Sequence, residues 1–290
     1  MPSLLLLILS SSNSFSQKLE PKERTIEPDH IITSEITERD YQLYISFPNS
    51  YSTKDTISYP VLYVLDGERN FNFFYQPNIF LGAMGKIEKI IIVGIDSGKD
   101  RKSQNVNRTY NFTPTINIDS SSVRQREKRL GLSDGTLLSG GASEFLKVIK
   151  NEIAPFIDKN YKTNNDRGIT GHSLGGLFTA YCFVNSDGYF TRFGINSPSL
   201  WWNEEDFLNQ AVKQFEDKKV WKVPQTKVFI SSGGNESIYI LPTTIKFVTY
   251  LKNANYENID LNWQIFDNET HGTVRPLSLR KAIIELYAIE

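Results

Sequence analysis

The chain has 290 residues, with 32 Lys and Arg against 33 Asp and Glu, and 39 % of it is hydrophobic. This near balance excludes a global field that would draw the protein onto nucleic acid or an anionic membrane, and the apolar content excludes disorder along the whole chain. A single cysteine, Cys182, excludes an intrachain disulfide and a cysteine-based metal site.

From the N-terminus, the apolar run Leu4 to Leu9 precedes small polar residues, and Ser14-Phe15-Ser16 places small residues where a signal peptidase reads. A signal peptide over residues 1–16 is expected, with export to the periplasm or the medium. The run is too short to cross a bilayer, so no integral membrane association is expected. Residues 17–290 then read as one domain, without internal repeats or linkers. Tyr41 to Phe47 alternates like an antiparallel strand, whereas Val61 to Leu65 and Ile90 to Ile95 are continuous apolar runs suited to strands buried on both faces. Residues 97–141 break the rhythm as a long polar insertion bearing RQREKR at Arg124 to Arg129. A mobile cap is one reading of it and a solvated charged face another.

Beyond the insertion, Phe145, Val148, Ile149, Ile153 and Phe156 recur at helical spacing, predicting a helix over Ala142 to Ile157. A strand around Ile169, a helix from Gly175 to about Val184 and a strand at Phe193 to Ile195 follow. Helices near Glu204 to Phe215, Thr243 to Leu251 and Leu277 to Ala288 alternate with strands at Lys227 to Ser231 and Leu261 to Phe266. Such alternation predicts an α/β protein with a mainly parallel, doubly wound sheet and helices on both faces.

Gly171-His172-Ser173-Leu174-Gly175 fits G-x-S-x-G between a strand and a helix, the setting of a nucleophile elbow in the α/β-hydrolase fold. Gly171 and Gly175 are expected to remove clashing side chains at the turn, and Gly176 to let the helix approach the sheet. The Leu174 N–H lies at the helix start, where an oxyanion would form. A serine needs a base. Of three histidines, His30 precedes the predicted sheet and His172 is expected to aim away from the serine. His271 follows the last strand, where the serine-acid-histidine order of this fold places the base. Glu236, just past the strand Lys227 to Ser231, fits the orienting acid best, with Asp267 and Glu269 as rivals on the histidine loop. The turn after Val61 to Leu65 offers the Glu68 N–H as second oxyanion donor. An ordinary Asp-Gly turn is an equal reading.

The segments YPVLYVLDGERNF, IIVGI with NRTYNFTPT, GGASEFLKVIKNEIAPFIDKNY, GITGHSLGGLFTAY and SPSLWWN together resemble the esterase D-like family of α/β-hydrolase esterases. The resemblance is strongest to its subgroup of ferric siderophore esterases. It runs from about Tyr59 to Asn203 and continues less specifically to the C-terminus. The resemblance implies Ser173 as nucleophile, His271 as base, Glu236 as acid and an oxyanion N–H at Glu68. Some siderophore esterases resemble a Ser-His dyad, which leaves the acid open. Trp201 and Trp202 are candidates to line an acyl or aryl pocket, or equally to pack the core. The expected activity is hydrolysis of a small-molecule carboxylic ester through an acyl-enzyme, without cofactor or metal. An acyltransferase using the same site, and a silent binding protein of the same fold, remain as alternatives.

Overall fold

The computed structural model describes residues 27–54, 56–117, 121–217 and 220–289, so the expected signal peptide at 1–16 lies outside the described residues. Eight strands form one sheet in the order β1-β2-β4-β3-β5-β6-β7-β8. They are β1 (His30–Thr33), β2 (Asp40–Ser46), β3 (Tyr59–Leu65), β4 (Ile91–Ser97), β5 (Thr163–His172), β6 (Arg192–Asn196), β7 (Thr226–Gly233) and β8 (Ile259–Phe266). β2 runs antiparallel to β1 and β4, and the other neighbours pair in parallel. The sheet has the mainly parallel, doubly wound form of an α/β-hydrolase.

Every residue of β3 and β4 is buried, and alternation divides them between two layers. Val61, Tyr63 and Leu65 join Ile91, Val93 and Ile95 in the larger core, while Leu62, Val64 and Ile92 enter the smaller one. Burying each such side chain contributes about 1.5–3 kcal/mol, and a one-residue slip would exchange the two faces. The register is therefore strongly specified. Pro60 lies in this central strand without an N–H to give, and the pairing of β3 with β5 shifts between Tyr59 and Val61.

The smaller layer is closed by α1 (Gly67–Ala83), through Phe71 and Phe74, and by α9 (Val274–Tyr287), through Leu279, Ile283 and Leu286. Helix α1 escapes the periodicity of the sequence because Pro77 interrupts it and two of its buried positions are asparagines. Asn70 donates to the Leu65 carbonyl and Asn78 to that of Ile90, so polar side chains stand where an apolar stripe would be sought. On the larger face lie α2 (Arg101–Phe112), α4 (Ala142–Val148), α5 (Ala154–Asn160), α6 (Leu174–Asn185), α7 (Trp202–Asp217) and α8 (Ile240–Ala254), with α3 (Ser121–Leu130) packed on α2. The helix expected from Ala142 to Ile157 is interrupted by a π turn at Ile149–Ile153. Pro155 has no N–H for the next α-helical bond, and the Ala154 N–H reaches back to Ile149 instead.

The insertion at 97–141 contains two helices where the sequence suggests little periodicity. Asp100 and Ser103 form a reciprocal capping box that starts α2. In α3 the RQREKR run exposes Arg124, Gln125, Lys128 and Arg129, while Glu127 turns inward and accepts the Leu137 N–H at 2.8 Å. That bond ties α3 to the loop that follows it.

Candidate active site

β5 ends at His172 and α6 begins at Leu174, so Ser173 alone makes the turn, at φ 64° and ψ −120°. A non-glycine residue is strained there by about 1–3 kcal/mol, and the surroundings must hold it. The Ser173 N–H donates to the Asn196 carbonyl at 3.1 Å and its carbonyl accepts the N–H groups of Leu177 and Ser199. A Cβ on Gly171 would come within 2.5 Å of the Gly175 carbonyl carbon, and one on Gly176 within 2.5 Å of the Asn196 carbonyl oxygen. Both therefore need glycine, whereas a Cβ on Gly175 would make only ordinary contacts, contrary to the expectation for that residue.

The loop after β8 carries His271 over the end of β5. Its Nε2 lies 3.0 Å from the Ser173 Oγ and its Nδ1 lies 2.9 Å from the Glu236 Oε2. Backbone bonds lock the acid to this loop: Gly234 N–H donates to Phe266 and Asn235 N–H to Glu269. Glu236 buries its side chain completely. The rival Asp267 is exposed, and the ring is held by Glu236 rather than by Asp267 or Glu269. The structure thus brings together three residues separated in sequence by 98 and 35 positions.

His172 departs from expectation. Its ring packs against that of His271, centroids 4.5 Å apart, so it turns toward the site and not away. Burial, then the neighbouring His271 and Arg275, hold its pKa well below the usual histidine value, and it stays neutral. His30 lies on the edge strand β1, where its Nε2 meets the Tyr161 hydroxyl.

Leu174 opens α6, and its N–H is one of the first-turn amides that a helix leaves without a carbonyl partner. The expected second donor is otherwise engaged: the Glu68 N–H donates to the Asp96 carboxylate. The reason is that α1 starts directly at Gly67, behind a left-handed Asp66, which aims this amide at the end of β4. Burial, then the nearby Asp66 charge, pushes Asp96 up to about 7, although the Glu68 amide pulls it down. Trp202 packs in the core and not in a pocket: it is 2 % exposed, and its indole N–H donates to the Thr115 carbonyl. Trp201 instead lines a cavity of about 500 Å³ together with Gln125, Arg126, Lys128 and Arg129 of α3.

A second cavity, about 300 Å³, opens onto Ser173 and His271 and is lined by Arg69, Arg108 and Arg275. Arg108 grips Asp66 with Nε and Nη2, both at 2.7 Å. Burial works against its charge, but Asp66 outweighs this and raises the Arg108 pKa. Arg126 has less support: burial, then Arg108 and Arg129, lowers its pKa to about 9. The space above the serine is therefore cationic. Arg69 and Arg108 lie within segments that carry the family resemblance, but no local pattern gathers them with Arg275, because α1, α2 and α9 deliver the three from distant parts of the chain. A larger cleft of about 640 Å³ lies at the opposite ends of the strands, around Asp166 and Arg192. Those two groups pair with each other, and ligands of open α/β sheets bind at the carboxyl ends of the strands, where Ser173 stands.

Among curated proteins, the chain is 24 % identical over 86 % of its length to an apo-salmochelin esterase of Escherichia coli, covering 75 % of that protein. It is 27 % identical over 62 % of its length to the ferri-bacillibactin esterase BesA of Bacillus subtilis, and that match spans 61 % of the relative. Among solved structures, a BES protein from Bacillus cereus aligns with 99 % of this chain and 100 % of its own at a TM-score of 0.75 and 24 % identity. An IroE-like serine hydrolase from Shewanella oneidensis aligns at a TM-score of 0.72 and 26 % identity, covering 90 % of this chain and 81 % of that one. Residues 34–260 match the family model "Putative esterase". The chain belongs to that esterase family and is a carboxylic ester hydrolase.

Proposed function

We propose that the hydrolysis proceeds through a covalent acyl-enzyme on Ser173, with His271 as general base and Glu236 holding the imidazole. The observation that carries this reading is the unbroken path from Ser173 Oγ through His271 to Glu236, at 3.0 and 2.9 Å. His271 takes the serine proton as Oγ attacks the ester carbonyl, then returns it to the leaving alcohol. Glu236 fixes the tautomer that leaves Nε2 free to accept, and stabilises the imidazolium. The Leu174 N–H and the positive end of α6 receive the developing oxyanion. Water activated through His271 then releases the acid.

The substrate is a siderophore-type ester, a bulky molecule with negative charge. Support comes from the names of the relatives and from the cationic lining of Arg69, Arg108 and Arg275 around Ser173. Trp201, beside Arg126, Lys128 and Arg129, suits an aryl group. Hydrolysis of siderophore lactone, feruloyl and short-chain p-nitrophenyl esters, with S173A as control, tests the reading. A preference for neutral short esters over the anionic lactone would overturn the substrate class. Transesterification outrunning hydrolysis when an alcohol acceptor is added would make the enzyme a transferase.

Residues 1–16 act in this reading as a cleaved signal peptide ahead of a single domain, supported by the apolar run Leu4 to Leu9. No described helix is long and apolar enough to cross a membrane. N-terminal sequencing of the mature protein from a cell fraction tests export.

A further inference from the structure

We propose that Ser199 is a positioning residue for the nucleophile: its buried hydroxyl donates to Ser173 Oγ and holds that oxygen where its own proton points at His271. This rests on the triad reading and adds a fourth side chain to it.

Ser199 lies on the loop that leaves β6 beside the elbow, and its Oγ is 3.4 Å from Ser173 Oγ. The residue is 2 % exposed, and among the described residues Ser173 Oγ is the one hydrogen-bond partner of its hydroxyl. Backbone bonds pin the loop in place. The Ser199 N–H donates to the Ser173 carbonyl at 3.0 Å, the Ser197 N–H to the Ser231 carbonyl of β7 at 2.7 Å, and the Trp202 N–H to the Ser199 carbonyl at 3.1 Å. Pro198 packs so closely on α6 that a Cβ on Gly176 would come within 3.0 Å of its Cα.

The direction of the bond follows by elimination. The Glu236 carboxylate only accepts, so His271 Nδ1 carries the ring proton and Nε2 is left as an acceptor. Ser173 has one hydroxyl proton, and it faces Nε2 at 3.0 Å. Ser199 is then the donor across the 3.4 Å contact. In the reverse arrangement Ser173 would spend its proton on Ser199, and His271 would have none to take. A bond this long is weak while Ser173 is a neutral alcohol. As His271 takes the proton, charge grows on Oγ, and a charge-assisted bond is shorter and stronger. The same donor serves deacylation, when the bond from the acyl carbon to Oγ breaks and Oγ recovers its charge before His271 returns the proton. Ser199 keeps its own proton throughout.

The test compares Ser199→Ala and Ser199→Cys with wild type in the full chain, each confirmed folded by its denaturant midpoint. Cysteine fills nearly the same space but is a poor donor. Each protein is labelled with a fluorophosphonate, which forms a bond from Oγ to phosphorus with loss of fluoride, and is assayed on a p-nitrophenyl ester across pH. In both variants the labelling rate and kcat should fall about tenfold while KM stays within about twofold. The acid-side inflection of kcat/KM should not move, since Ser199 acts on Oγ and not on the imidazole. Ser197→Ala removes a neighbouring buried hydroxyl that has no partner, and should keep wild-type rates. A folded Ser199→Ala or Ser199→Cys that labels as fast as wild type would overturn the proposal, as would a loss confined to KM or an equal fall in Ser197→Ala. A wild-type chain that takes no label at Ser173 would instead refute the triad reading, and this role of Ser199 with it.

Discussion

Ser173 is held in a backbone conformation that ordinary residues avoid, and its hydroxyl meets an imidazole only where His271 arrives from another strand end. Because the proposed nucleophile and base would act as a unit, Ser173→Ala and His271→Ala should each lower kcat by roughly a thousandfold or more, and the double variant should be hardly worse. Steady-state kinetics on one ester checks this, and multiplicative losses would refute a shared step. Glu236→Gln should cost roughly a hundredfold in kcat with little change in KM, whereas Asp267→Asn, at an exposed position, should cost far less. The reverse ranking would move the acid onto the histidine loop. Asp96 gives a pH prediction. Its folded pKa of about 7 lies above the ordinary 3.8, so the folded state keeps the proton longer than the unfolded chain does. Stability from this group is present below about pH 4 and is lost as pH rises through about 7. Asp96→Asn should therefore stabilise the protein at pH 8 relative to wild type by about 1–4 kcal/mol more than it does at pH 4. Urea denaturation at the two pH values measures it.

At the level of elements, α3 supplies most of the side chains that line the cavity beside Trp201. The RQREKR run alone does not separate a solvated face from an anion site, and the structure divides the run between the two. Arg126, Lys128 and Arg129 line the cavity beside Trp201, while Arg124 is exposed and does not line it. Replacing Arg126, Lys128 and Arg129 with glutamine should raise KM for an anionic ester about tenfold while leaving a short neutral ester nearly unchanged. Arg124→Gln should do little to either. Equal effects on both esters would show that α3 shapes the site without acting through charge.

The whole molecule is tied together at the end of the sheet away from the serine. Arg192 pairs with Asp166 of β5 and with Glu88 ahead of β4, and it donates to the Leu286 carbonyl of α9. Its side chain is 12 % exposed, whereas those of Asp166 and Glu88 are 30 % and 35 % exposed, so removing it leaves the Leu286 carbonyl without this donor while water still reaches the two carboxylates. Arg192→Met should destabilise the fold by about 1–2 kcal/mol in denaturant titrations while kcat stays within about twofold of wild type. A large loss of kcat in a stable variant would mean that this end of the sheet communicates with the site.

Strands β2 to β8, the helices from α4 onward, the elbow and the pairing of Ser173 with His271 were legible because each rests on local chemistry: alternation, 3.6-residue spacing, a glycine turn and a shortage of histidines; β1, which holds His30, and the helices α2 and α3 of the insertion were not. Helix α1 was not, since Pro77 and buried asparagines mask its apolar face, and only the packed structure shows what those asparagines donate to. Glu236 was the best of three candidates by position along the chain; its 2.9 Å contact exists because β7 and β8 end side by side. The engagement of the Glu68 amide, the turn of His172 onto His271, and the gathering of Arg69, Arg108 and Arg275 were decided by tertiary structure alone. Sequence patterns report what a residue does with neighbours a few positions away. A carboxylate that captures an amide from another strand end, or charges converging from three helices, has no such signature, because the distances that matter are set by packing.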